Sequence, residues 1–126
     1  MTEKHSRQIA GGRAVWYTRR LWDLARQLPV RQVAIDDIRE FDQNSWFGET
    51  QAPTWRAVAA HAERIWNADL SFPVMLSADG GLMDGAHRLA KAWPQGSRFV
   101  RAVQFDVDPE PDHVVQTAPN PAHHQP

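Results

Sequence analysis

The run Asp84-Gly85-Ala86-His87-Arg88-Leu89-Ala90-Lys91 gathers the residue types of this chain that can do chemistry. A carboxylate can meet a metal or orient a substrate. Histidine moves protons near neutral pH, and arginine grips phosphate or carboxylate through two donors at once. The spacing predicts a short helix from about Gly85 to Trp93, broken near Pro94 and Gly96, with Gly85, Ala86, Leu89, Ala92 and Trp93 on one face. Glycine and alanine at its start let the helix come close to a sheet. His87 and Lys91, four residues apart, share another face, with Arg88 beside them. Cations thus fall in the first two turns, where the helix dipole favours anions; each mismatch costs roughly 0.3–1 kcal/mol at an exposed site. Backbone N–H groups at the same end attract anions. A phosphate or carboxylate held by Gly85, Ala86, His87, Arg88 and Lys91 resolves both conditions. A ligand-free solution also exists, in which Asp84 caps the helix and neighbouring acids neutralise Arg88.

The elements that must position this run can be read outward from it. Pro73–Ser77 and Leu82–Asp84 are short apolar runs separated by Asp79-Gly80, a strong hairpin signal that delivers Asp84 to the helix start. Thr54 to Asp69 is the clearest helix, with Thr54 as its N-cap. Trp55, Val58, Ala59, Ala62, Ile65 and Trp66 form its apolar stripe, and His61 falls off that stripe as a solvated residue. A first helix is expected from about Gly12 to Leu28, ended by Pro29, and a half-buried strand over 31–36. The last strand spans Arg98 to Val107. Residues 37–53 lack a period and read as a long loop bearing Asp37, Glu40, Asp42, Glu49, Trp46 and Phe47; such loops are often functional. The order α, β, loop, α, β-hairpin, α, β predicts an α+β domain with a small mixed sheet.

Composition removes several functions. Of 126 residues none is cysteine, which excludes disulfides, thiolate nucleophiles, zinc fingers and iron–sulfur sites. Lys plus Arg number 14 against 15 Asp plus Glu, too even for a protein that grips a nucleic-acid backbone over its surface. No apolar run approaches a membrane span and residues 1–13 hold no secretory stretch, so a soluble, cytoplasmic protein is expected. Residues 108–126 hold five of the nine prolines and only Val114 and Val115 as large apolar residues. They read as an unstructured tail behind one domain over 1–107.

The run Met83 to Ala92 resembles the signature box of the ParB/sulfiredoxin-like superfamily. In ParB N-terminal domains the box is Gly-Glu-Arg-Arg with an alanine four residues on; Gly85, Arg88 and Ala92 match it, whereas Ala86 and His87 replace the Glu and the first Arg. His87 and Arg88 match the end of the sulfiredoxin box, Gly-Gly-Cys-His-Arg. Asp84, Gly85, His87 and Arg88 follow the Asp-Gly-His-His-Arg of the superfamily's free-serine kinases. The stretch from Val33 to Ile38 resembles the opening strand and turn, and the resemblance covers about Arg31 to Asp106. It implies a small mixed sheet packed with three main helices and a phosphate site at the start of the third. Missing cysteine excludes sulfinic acid reduction, and the absence of a helix-turn-helix pattern after the box argues against operator binding. The replacements at Ala86 and His87 count against ParB-like CTP hydrolysis.

The resemblance implies a domain that binds a nucleotide (ATP, ADP or CTP) or a phosphorylated small molecule, and an enzyme of phosphotransfer or nucleotide hydrolysis. Gly85, Ala86, His87, Arg88 and Lys91 would hold phosphate oxygens, with His87 acting in catalysis. Asp84 would meet a magnesium ion through the phosphates or the substrate. Glu40, from the loop after the first strand, would be the base, with Asp37 in reserve. The alternative is a non-catalytic module for a nucleotide or a protein partner, in which Trp46 and Phe47 either stack on a base or fill the core. A DNA-binding or nuclease role has least support, as no basic stripe or recognition helix is present.

Overall fold

The computed structural model describes residues 3–47 and 52–116. In chain order the elements are β1 (Lys4–Ile9), β2 (Gly12–Tyr17), α1 (Thr18–Leu24), β3 (Arg31–Ala34), α2 (Trp55–Asn67), β4 (Val74–Leu76), β5 (Leu82–Asp84), α3 (Ala86–Ala92), β6 (Phe99–Gln104) and β7 (His113–Gln116). The chain is α+β, with one sheet ordered β1-β2-β7 and another ordered β3-β6-β4-β5. Two compact units result, Gln27–Asp108 and Met1–Arg26 with Pro109–Pro126. No helix of the described residues is long and apolar enough to cross a membrane.

The unit Gln27–Asp108 holds the four-stranded sheet. β4 runs parallel to β6, while β3 and β5 pair antiparallel to their neighbours, which is the small mixed sheet expected. Ile35, Ile38, Val74, Leu76, Leu89, Ala92 and Ala102 form its buried core, with Phe41, Leu70, Leu82 and Trp93 packed around them. The β4–β5 connection turns where Asp79-Gly80 predicts it, with Gly80 at φ +88° and Ser77 N–H bonded to the Gly81 carbonyl. A 3-10 turn, Ile35–Asp37, takes the last two residues of the expected strand and the first of the expected long loop, and a second winds over Arg39–Asp42; residues 48–51, Glu49 included, lie outside the described residues.

The other unit departs from expectation. Gly12–Tyr17 is a strand, and only Thr18–Leu24 is α-helical. Val15, Trp16 and Tyr17 are β-branched or aromatic and suit a pleated surface better than a helix. β2 pairs on one side with β1 across a turn at Gly11 (φ +76°) and on the other with β7. A side chain at Gly12 would run into the Val115 carbonyl. The stretch read as tail is thus structured as far as Gln116, because β2 gives Val114 and Val115 a partner; residues 117–126 lie outside the described ones.

Helix α2 begins as predicted, with the Thr54 hydroxyl accepting from Ala57 N–H at 3.1 Å. Its facing is different. Ala57, His61 and Ile65 are the half-buried positions, whereas Trp55, Val58, Ala59, Ala62 and Trp66 are exposed. Lys91 of α3 explains part of this, donating to the Trp66 and Ala68 carbonyls at 2.8 and 2.7 Å and so holding the C-terminal end of α2. A cation there satisfies carbonyls that the helix leaves unpaired and suits its dipole.

Candidate functional site

Gly85 is the N-cap of α3 at φ +116°, a left-handed conformation that favours glycine. A Cβ there would stand 2.6 Å from Val74 Cγ1, so the glycine permits the predicted close approach of helix and sheet. Asp84 lies before the cap, and its Oδ2 is 3.9 Å from Arg88 Nη1.

His87 and Arg88 leave α3 in different surroundings. His87 Nε2 meets His61 Nδ1 of α2 at 2.9 Å, one nitrogen donating and the other accepting. Trp46 stacks on both imidazoles at centroid distances of 4.5 and 4.6 Å, and Phe47 meets His61 edge-on. Burial lowers the pKa of both histidines. The charge of Arg64 lowers both further, and Asp84 opposes the change at His87. The two imidazoles form an aromatic-covered pair whose surroundings disfavour the charged form. His61, read from the sequence as solvated, is its second member.

Arg88 Nη1 donates to the Pro73 carbonyl at 3.3 Å, and its guanidinium lies 6.0 Å from the Phe72 ring centre. It lines a cavity of about 150 Å³ together with Leu70, Phe72, Ala92, Phe99 and Arg101. Arg101 Nη1 donates to the Ser71 carbonyl at 2.8 Å, which holds the side chain beside the cavity. Phe72 and Phe99 are both more than half exposed. The carboxyl of nearby Asp69 is held below its ordinary range by hydrogen bonds from Ser71 and then by the charges of Lys91 and Arg88.

The predicted acids lie elsewhere. Glu40 faces the β4–β5 turn, where its Oε2 is 3.7 Å from Arg39 Nε and within 3.1 Å of the space beside Gly81. Its Oε1 is buried without a hydrogen-bond partner among the described residues. Asp79 closes that turn through Ser77 Oγ, Gly81 N–H and Arg39, and these contacts, Ser77 first, hold its carboxyl far below the usual range. The length of β5, about 10 Å, separates this turn from Asp84. Asp37 is exposed in the first 3-10 turn. Phe41 and Trp46 are what the loop carries to α3, Phe41 meeting Trp93 at 5.5 Å. Among the described residues no three His, Asp or Glu side chains converge on one point.

No family model, curated protein or solved structure matches the chain. Function must be argued from the site. Of its members, Arg101, Phe72 and Phe99 escaped the sequence reading. Phe99 and Arg101 alternate on β6 and so share a face, a signal present in the sequence. That the Ser71–Phe72 turn meets this face depends on the fold.

Proposed function

We propose that Gln27–Asp108 is a binding module for a small phosphorylated or carboxylate-bearing ligand, with a nucleotide as one member of that class. The carrying observation is the cavity that places Arg88 and Arg101 beside Phe72 and Phe99. Arginine binds phosphate and carboxylate through paired, charge-assisted hydrogen bonds, and the phenylalanines offer a flat apolar surface to the rest of the ligand. Its 150 Å³ is below the roughly 300–1,000 Å³ of sites that enclose a drug-sized ligand. The cavity thus suits the anionic end of a nucleotide, or a small anion with an apolar group. The resemblance of Met83–Ala92 to the ParB/sulfiredoxin-like box supports the same assignment of Arg88. Magnesium would enter bound to the ligand's phosphates.

A phosphotransfer reading keeps one supporting observation, the Asp84 carboxylate 3.9 Å from Arg88. The contacts of Glu40 are instead with Arg39 and the turn at Gly81.

Thermal denaturation with inorganic phosphate, ADP, ATP and CTP, each with and without magnesium, tests the proposal. A phosphate-bearing ligand at a hundred times its dissociation constant stabilises by about 2.7 kcal/mol. That shift should vanish in Arg101→Ala, an exposed position, and in Arg88→Ala. No shift with any ligand, or shifts unchanged in both variants, overturns the assignment. Turnover of the γ-phosphate that is lost in Asp84→Asn favours the enzyme; binding without turnover favours the module.

A further inference from the structure

We infer that the exposed face of α2 is a self-association surface, on which a second copy of this chain packs its own α2 antiparallel. The helix carries Trp55, Ala59, Ala62 and Trp66 along one stripe, with Trp55 94% and Trp66 80% exposed and both alanines exposed between them. This face cannot be turned inward without breaking contacts. The opposite side of the helix already holds His61 against His87, and Lys91 ties down the Trp66 and Ala68 carbonyls. Isolated exposed apolar residues are ordinary, but two nearly bare indoles on one helical stripe are a patch.

Three properties select a second copy as the occupant. The stripe spacing of four, three and four residues reads the same in both directions. An isologous interface requires each surface to complement itself, and in an antiparallel pair this spacing sets Trp55 against the partner's Trp66 and Ala59 against the partner's Ala62. Alanines at the centre let the two backbones approach, while the indoles close over the ends.

Charge is the second property. Arg56 and Glu63 flank the stripe on the same side, about 80–100° around the helix from Trp55. A two-fold axis midway between Ala59 and Ala62 brings each Arg56 within about 3 Å, along the helix axis, of the partner's Glu63. A parallel pair would instead hold Arg56 and the partner's Glu63 about 10 Å apart along the axis and on opposite edges of the interface. The third property is area. Four indoles, each able to bury about 150–250 Å², supply at least half of the roughly 1,200 Å² from which specific interfaces start. Val58, 49% exposed, adds to this.

Sedimentation of the full chain over a wide concentration range is the test. A concentration-dependent monomer–dimer equilibrium is expected, shifted at least tenfold toward monomer in Trp55→Ser and in Trp66→Ser. Circular dichroism should be unchanged in both, since neither side chain is packed. Arg56→Glu should weaken the dimer and Arg56→Glu with Glu63→Arg should restore it. Because the chain has no cysteine, orientation can be read directly. Ala59→Cys mixed with Ala62→Cys should oxidise to the mixed disulfide in preference to either homodimer. A monomer at every concentration overturns the proposal, whether the indoles are then bare or covered by another part of the chain. A dimer that is indifferent to the tryptophan and charge variants, or that gives only like-with-like disulfides, also overturns it.

Discussion

His87 illustrates how a side chain of chemical promise is committed by its neighbours. Its Nε2 is hydrogen-bonded to His61 Nδ1 at 2.9 Å beneath the Trp46 indole, and charging both imidazoles would set two N–H groups against each other. Burial and the charge of Arg64 lower both pKa values, and the charge of Arg88 adds to the effect at His87. The sign follows from proton counting. Between the lowered folded value and the ordinary value near 6.5, the unfolded chain binds more protons than the folded one, so stability falls as pH drops through that window. Melting temperatures should decrease from pH 7.5 to pH 5.5, and His87→Gln should show a shallower decrease. The other histidines titrate in both proteins, which makes the difference in slope the readout. Equal slopes would remove the pair as the cause. Trp46→Ala, which uncovers the pair, should also flatten the dependence.

Helix α2 shows where local rules hold and where they stop. Its start obeys them: Thr54→Ala should cost about 1 kcal/mol by the loss of one cap bond. Its end depends on a residue remote in sequence, since Lys91→Met removes two bonds to terminal carbonyls and should cost a similar amount. The sites sit at opposite ends of a 13-residue helix, so the double variant should add within about 0.5 kcal/mol in urea denaturation. Non-additivity would mean that the helix responds as a unit to either end. Strand and helix placement around the site was legible in the residues because caps, Asp79-Gly80 and alternation are local signals. Two features were not. Gly12–Tyr17 lies in a stretch that reads as helix until β1 and β7 are known to flank it, and the apolar stripe of α2 reads like any face that packs inward. Periodicity identifies a face without identifying what covers it. The same limit applied at the site: Arg88 stood out by its motif, whereas Arg101 became relevant only when the Ser71–Phe72 turn was seen beside it.

The early and late segments of the chain belong to one unit, and the uninterrupted stretch between them forms the other. Asp108 closes Gln27–Asp108 by accepting from the Ala78 N–H at 2.8 Å, and the next residue, Pro109, accepts from the Trp16 indole N–H at 2.8 Å in the unit to which it belongs. Asp112 binds the Tyr17 N–H at 2.8 Å and Arg20 Nη1 at 3.2 Å, and these contacts, the backbone N–H first, hold its carboxyl below the ordinary range. β7 then pairs along β2. A chain stopped after Asp108 loses the Pro109, Asp112 and β7 contacts while keeping the Asp108 bond and every strand of the β3-β6-β4-β5 sheet. Four lost side-chain bonds, Arg20 to the Glu110 carbonyl included, at about 0.5–1.5 kcal/mol each, before counting the ladder, amount to a tenfold or greater loss of amide protection in β1 and β2. Hydrogen exchange should show that loss, with protection of α3 and β6 and the response to phosphate ligands unchanged. Asp112→Asn, which keeps β7 but removes the charge, should fall between the truncated and the full chain. Parallel loss of protection in both units would show that they unfold as one, and would place the stability of the arginine-lined cavity under the control of β7.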